Sequence, residues 1–474
     1  MDPFPPLPVQ TISSLFAELE FDASRKSTRE ELEKVGDRFS VLLHEIKKSG
    51  DLTKCKKLIT DIRDNKGERD ITYMLLYVFY EYFPEETVSL LYEIVPKHGS
   101  WRDIPGLCDI IRHFSGPDHP LIEKSIEYMN SALHYDHILS KKDGKISNIA
   151  KWIPRETSKH TWLFERLAYH WTKTYTPYLF STLRGCDQNA HVRATNKSRQ
   201  LYRKVFVGLS KRLELIETKM CSGEWTKIDP AKINKGTFAK RMDALLGTYY
   251  PEKLDRMICK EKIISHGPSI SLELSMGEFV THALKRKSNG DAFRNKLIND
   301  SWDKFSFPMD KDSVCIPMVD VSESMAKSNS IYSAVGIALK IAQASGRILF
   351  LGNQPYWKTI LAPDFTTNVK SIFDNIPPAT HSNILAGVSL IINALIQSEI
   401  KTKEIDKMKL VLLSDMNFYE NLYSEIRDLF DKAALPLPRI VFWNLSTSSV
   451  NLPCSYDTKN VRFLSGVGGT FPPF

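Results

Sequence analysis

Cysteine is scarce in this chain, and the cysteines present are not spaced as partners. Seven occur in 474 residues, at positions 55, 108, 186, 221, 259, 315 and 454. Their number is odd and no Cys-x-x-Cys occurs, so neither a disulfide framework nor a zinc ribbon is indicated. Buried thiols in a reducing compartment are expected instead. Long hydrophobic runs are also missing. The longest, near 73–80 and 386–396, are too short to span a bilayer. The opening Met1-Asp2-Pro3-Phe4-Pro5-Pro6 lacks the basic start and apolar core of a signal peptide. A soluble, cytoplasmic chain with no membrane partner is therefore expected. His-Glu-x-x-His, Gly-x-Ser-x-Gly and the Gly-x-x-x-x-Gly-Lys-Ser/Thr phosphate loop are all absent, which removes the usual signatures of zinc hydrolases, serine hydrolases and P-loop enzymes. His134 and His137 form the tightest histidine pair, but no third ligand accompanies them.

What is present is ample apolar material, 42% of residues, and a length that predicts two or three domains. The pattern changes near residue 310. Before it, apolar positions recur at helical spacing over 71–83, 87–95, 121–133, 161–175, 199–218 and 237–248, with breakers at Pro96, Gly116-Pro117 and Pro120. Paired helices with short breaks predict an all-α helical-repeat region over 1–309, although no strict period is found. The polar Ser288-Asn289-Gly290-Asp291 marks a bend. After 310, short apolar runs alternate with helices: 314–319, 348–352, 410–414 and 440–443, with 461–464 as a last strand. That alternation predicts a doubly wound α/β domain over 310–474 with an irregular Gly/Pro-rich end beyond Gly466.

The chemistry concentrates where the first of these strands ends. Asp320, Ser322 and Ser324 form an Asp-x-Ser-x-Ser motif directly after the apolar run 314–319. A helix with Ile331, Val335, Ala338, Leu339 and Ala342 on one face follows. Open α/β sheets place ligands at the carboxyl ends of strands. Magnesium wants oxygen donors in near-octahedral geometry. The bland reading is an N-cap, in which Ser322 or Ser324 satisfies free amides at the helix start. Two further segments weigh against it. Ser382 precedes the apolar helix 384–396, and Asp415 ends the strand 410–414. Each lies in its own βα unit and adds an oxygen.

Asp320, Ser322, Ser324, Ser382 and Asp415, in that order, resemble the metal-ion-dependent adhesion site of von Willebrand factor A domains. The resemblance implies Mg2+ (or Mn2+) held directly or through water, with an acidic group from a partner protein completing the shell. Glu323 stands where that family usually has Gly, and Ser382 where it usually has Thr. Serine keeps the oxygen and loses the stiff β-branch. In the helical region, 61–70, His98-Gly99-Ser100-Trp101-Arg102-Asp103 and 150–155 resemble the TROVE module of telomerase-associated and Ro ribonucleoproteins. Tyr202-Arg203-Lys204, 213–220, Glu224-Trp225, Ser414-Asp415-Met416 and 438–445 are closer to a poorly characterised family of plants, fungi and large DNA viruses. Its members join such a helical region to a C-terminal von Willebrand A-like domain. The distant Ro resemblance implies RNA binding and no more.

Charge bears on that point. The net charge is +8, and basic residues cluster unevenly. Lys151, Arg155, Arg193, Arg199, Arg203, Lys204, Lys211 and Arg212 are the candidate nucleic-acid contacts, with Tyr169, Trp171, Tyr175, Tyr178, Tyr202 and Trp225 interleaved. Cations neutralise phosphates and aromatic faces stack on unpaired bases. The competing reading is an ordinary solvated helix face over an aromatic core. The sequence thus leads to a non-enzymatic interaction protein. A metal site would engage a protein partner, and a basic helical domain would engage RNA. One alternative is a structural component of a virus particle whose metal only stabilises the sheet edge. Another is a metal-dependent phosphodiesterase, which would need more carboxylates or histidines around its metal.

Overall fold

The fold is described from a computed structural model, covering residues 11–26, 28–49, 52–181, 188–247, 253–266, 272–285, 292–305, 314–398, 400–418 and 421–466. The expected bend at 288–291 and the tail beyond Gly466 lie outside the described residues. The chain is largely helical, with one six-stranded sheet near its C-terminus. Contacts divide it into two compact units. One comprises Met1–Ile46, Asn65–Glu68 and Asp229–Phe474; the other comprises Lys47–Asp64 and Arg69–Ile228. The change of periodicity near 310 marks where strands begin, whereas packing gathers residues from both sides of it around the sheet. Among the described residues no helix is long and apolar enough to cross a membrane.

The sheet order is β3-β2-β1-β4-β5-β6, with strands β1 Cys315–Asp320, β2 Arg347–Leu351, β3 Tyr356–Thr359, β4 Lys409–Ser414, β5 Arg439–Asn444 and β6 Val461–Ser465. All pairings are parallel except the β2–β3 hairpin. β1 and β4 are buried at every position, as strands covered on both faces must be. Pro317 is tolerated in central β1 because the ladder to β2 starts only at Met318. On one face Ile316, Met318, Leu349, Leu351, Leu410, Leu412, Ile440 and Phe442 pack against the helices Ile384–Gln397 and Leu422–Lys432. The helix Ser330–Ser345 packs against β1 and β2 and against the helix Met276–Leu284. There Gly277 and Gly336 permit a close approach: a Cβ on Gly336 would lie 2.8 Å from the Met276 carbonyl oxygen. That approach holds residues before 310 on the sheet unit.

The helix Ile12–Asp22 covers the edge strand β6. Phe21 meets Phe463 edge to face at 5.5 Å. The Asn444 amide donates to the Phe21 carbonyl (2.8 Å) and the Ser465 hydroxyl to the Glu20 carbonyl (2.6 Å). Buried Asp22 pairs with Lys26 at 2.5 Å and Arg38 at 3.1 Å, and accepts from the Val450 amide.

In the second unit successive helices pack on one another, from Thr53–Asp64 through Arg69–Tyr82, Asp103–Ser115, Pro120–Lys141 and Thr161–Tyr175 to Gln188–Arg212. The helix expected over 199–218 instead runs from Gln188 to Arg212 and breaks at Glu214, whose φ is 46°. Pro96 lies inside the last turn of the helix Pro84–Lys97 and not beyond it. The two stretches 61–70 and 98–103 meet at Asp103. Its carboxylate pairs with Arg63 (2.9 Å) and Arg69 (3.3 Å) and accepts from the Tyr73 hydroxyl (2.6 Å) and the Ser100 amide (2.7 Å). Burial, then the neighbouring charge, pushes the Tyr73 phenol upward. A Cβ on Gly99 would collide with the Asp103 carboxylate.

Two outcomes follow. Asp103→Ala strands the buried Arg63 guanidinium and is expected to cost about 3–5 kcal/mol, read as a lowered denaturant midpoint. The second concerns His282, which is packed beside Lys285, Arg294, Asp243 and Glu278 and accepts from the Arg294 guanidinium at 3.1 Å. Burial, then those cations, pushes it down from the ordinary 6.5 to about 4. A depressed histidine binds its proton more readily once unfolded. Its contribution is therefore complete above pH 6.5 and is lost as pH falls from 6.5 towards 4. His282→Gln should flatten the stability-versus-pH curve over that interval.

Candidate metal centre

Asp320, Ser322, Ser324, Ser382 and Asp415 all line one cleft of about 270 Å³. It sits at the carboxyl ends of β1 and β4, where the strand order reverses direction from its starting strand. Thr380, His381, Asn383, Asn417 and the apolar Ile384, Leu385, Phe418 and Leu422 complete the lining.

Asp320 ends β1 and is 2% exposed. One carboxylate oxygen accepts from the Ser322 amide (2.8 Å), the other from the Ser414 hydroxyl (2.6 Å). Burial pushes its carboxyl above the ordinary carboxylate range; the Asp415 charge acts in the same direction, and the bonds from Ser414 and Ser322 oppose it. Ser322 caps the short helix Glu323–Lys327 by position, but its side chain makes no cap hydrogen bond. Its hydroxyl instead shares a hydrogen bond with that of Ser324 at 3.1 Å. Cis ligands of an octahedral ion with metal–oxygen bonds of 2.0–2.1 Å are separated by about 2.8–3.0 Å. The two hydroxyls therefore stand close to one octahedral edge.

Asp415 is half-buried and follows β4. The turn it opens is unusual. Met416 is buried with φ at 59°, a left-handed conformation that costs a residue of this bulk of order 1–3 kcal/mol. The Phe418 amide closes the turn on the Met416 carbonyl at 2.9 Å. Ser382 comes from the loop before the helix Ile384–Gln397. That loop is clamped by Asn353, whose side-chain oxygen accepts from the Thr380 amide and hydroxyl (3.2 and 3.3 Å) and the His381 amide (3.4 Å). The Asn383 amide donates to the Gly352 carbonyl at 3.1 Å.

Glu323 points away from this donor set. It is exposed, pairs with Lys327 at 2.8 Å and does not line the cleft. Among the described residues no three His, Cys, Asp or Glu side chains are grouped to hold a metal. Asp320, Ser322, Ser324, Ser382 and Asp415 between them offer two carboxylates and three hydroxyls, an all-oxygen set that suits a hard dication of matching charge.

The expected nucleic-acid contacts separate into two groups. Lys151 pairs with Glu217 at 2.8 Å, Arg199 with Glu165 at 2.8 Å, Arg212 with Asp143 at 3.1 Å, and Arg203 with Glu156. Arg155 lies over the Phe206 ring at 4.5 Å, and burial lowers its pKa. These five are engaged within the chain. Arg193, Lys204 and Lys211 are exposed and make no ion pair among the described residues. Of the interleaved aromatics, Trp171, Tyr202 and Trp225 belong to the core, and Tyr175 stacks on His134 at 4.0 Å. Only Tyr169 and Tyr178 of that set are exposed.

Two residues of the centre were not anticipated. Ser414 was legible as the hydroxyl at the end of an apolar strand, immediately before Asp415. Asn353 gave only the signal of a polar turn residue after Gly352. Ser414→Ala leaves one oxygen of buried Asp320 without its donor. It should cost about 1–3 kcal/mol in a denaturation experiment, with Ser414→Thr recovering most of the loss.

A family model described as a domain of unknown function, DUF7788, matches residues 314–471, which takes in all six strands of the sheet. The chain is also similar to an uncharacterized protein of Acanthamoeba polyphaga mimivirus, 23% identical over 452 residues, covering 86% of this chain and 73% of the viral one.

Proposed function

We propose that the cleft is a divalent-cation-dependent docking site for a partner protein, in the manner of von Willebrand A domains, and that the protein is not an enzyme. Asp320, Ser322, Ser324, Ser382 and Asp415 would hold Mg2+ (or Mn2+). Bound there, the ion would supply a positive centre with a coordination position for an Asp or Glu of the partner. The single observation that carries this reading is the 3.1 Å separation of the Ser322 and Ser324 hydroxyls beside two carboxylates. The size of the cleft supports it: about 270 Å³ is below the roughly 300–1,000 Å³ usual for small-molecule sites, and suits one or two side chains. Manganese titration of the full chain should give one ion per chain. The expected pattern is loss of that ion in Asp320→Ala and Asp415→Ala and its retention in Glu323→Gln. At a hundredfold excess over Kd the ion should add about 2.7 kcal/mol of stability, removed by chelator. Binding that survives Asp320→Ala would overturn the assignment.

A second reading, RNA binding by a HEAT- or TROVE-like array, is favoured by one feature of the helix Gln188–Arg212. Arg193, Lys197, Lys204 and Lys211 recur at spacings of four, seven and seven, all exposed. At 3.6 residues per turn these fall on one line, running about 27 Å along the helix. Ala194, Ser198, Tyr202, Phe206 and Leu209 fill the opposite, buried side. With a labelled single-stranded RNA, replacing Arg193, Lys204 and Lys211 together by Ala should reduce the slope of log K against log salt by roughly 2. Arg203→Ala, which removes a residue already paired, should leave the slope unchanged.

A further inference from the structure

Resting on the docking reading above, we infer that the partner segment presents an apolar side chain beside its metal-binding carboxylate, and that Phe418 and Leu385 receive it. The donor oxygens occupy only part of the cleft. Phe418, Leu385, Ile384 and Leu422 form an apolar wall in the same cavity as Asp415, Ser322 and Ser324. Ile384 and Leu422 are 5% and 1% exposed and belong to the core. Phe418 and Leu385 rest on that core and remain partly open to the cleft. A carboxylate ligand alone has no use for such a wall, because it gains nothing from apolar surface.

The backbone joins the two halves. Met416, held left-handed, is the residue between Asp415 and Asn417-Phe418, and the Phe418 amide bonds back to the Met416 carbonyl. The Asn417 amide also donates to the Asp415 carboxylate at 3.3 Å. This closed turn sends a metal-ligating carboxylate and an aromatic ring into one cavity from positions only three residues apart. An extended peptide places neighbouring side chains on opposite faces and those two apart on the same face. A cleft of about 270 Å³ holds a carboxylate and one aliphatic side chain, and leaves little room for more. The ligand class is therefore an acidic residue with an aliphatic or aromatic residue two positions away, so that both side chains face the cleft.

The test uses the full chain loaded with Mn2+ and two blocked peptides, acetyl-Leu-Ser-Asp-Ser-Leu-amide and acetyl-Ser-Ser-Asp-Ser-Ser-amide. Manganese binding is followed by electron paramagnetic resonance, and peptide binding by the change in Mn2+-enhanced water relaxation. The leucine peptide should bind about tenfold more tightly than the serine peptide, as burial of one aliphatic side chain gives. Phe418→Ser should bring the two peptides to equal affinity while leaving Mn2+ binding unchanged, and Leu385→Ser should do the same in part. Equal affinities in the unsubstituted chain overturn the inference and leave the metal reading standing. A leucine preference that persists in both variants also overturns it. Failure to bind Mn2+ at all overturns the metal reading and this inference with it.

Discussion

The cleft depends on one buried carboxylate. Asp320 is placed at the end of the central strand, where its charge is removed from water, and such a charge is costly unless its oxygens are satisfied. The neighbouring strand satisfies one of them: β4 lies beside β1, so the hydroxyl of Ser414 reaches across from the equivalent strand end. The Ser322 amide satisfies the other, which bends the chain sharply out of β1 and brings Ser322 and Ser324 into line. What remains uncompensated is charge. Asp415 raises the Asp320 carboxyl further instead of relieving it. Two carboxylates in one cleft, flanked mainly by hydroxyls and amides, carry negative charge that a bound dication would offset. That charge, beside the close Ser322 and Ser324 hydroxyls, is the physical ground of the proposed cation site.

The parts of this arrangement that sequence reveals are the local ones. Asp320, Ser322 and Ser324 lie within five residues, and β1 and β4 announce themselves because strands buried on both faces are apolar between their ends, the polar exceptions being Asp320, Lys409 and Ser414 at strand termini. Asp415 is visible as the first charge after such a run. β3 escaped notice because Tyr356–Thr359 is short and half-exposed, so it carries no apolar run. The role of Asn353 is hidden for a different reason: it acts on a loop 27 or 28 residues away that must first fold back. The same distance problem governs the basic residues. Nothing near Arg203 or Lys151 in the chain reveals that Glu156 and Glu217, 47 and 66 residues away, will neutralise them. Likewise the switch from helices to strands near 310 is plain, whereas the seating of Gly336 on Met276 and of Gly277 on Ser333 depends on backbone approach that no hydrophobic pattern encodes.

In the helical unit, the stretches 61–70 and 98–103 share a centre. Arg63, Arg69, Tyr73, Gly99 and Ser100 all address the Asp103 carboxylate, by ion pair, hydrogen bond or close approach. A buried ion pair adds little net stability over apolar packing, but its geometry admits few alternatives. The charged and glycine-containing stretches therefore fix how three helices meet.

The docking of Phe21 on β5 and β6 has a consequence for how the chain is made. The Asn444 amide that receives Phe21 lies 423 residues further along. At a translation rate of about 5–20 residues per second, the first helix waits roughly 20–80 s on the ribosome before its seat exists. During that interval its apolar face is open to chaperones. When β6 finally emerges, its free edge is capped at once by a segment synthesised long before, which shortens the time in which that edge can pair with another nascent chain.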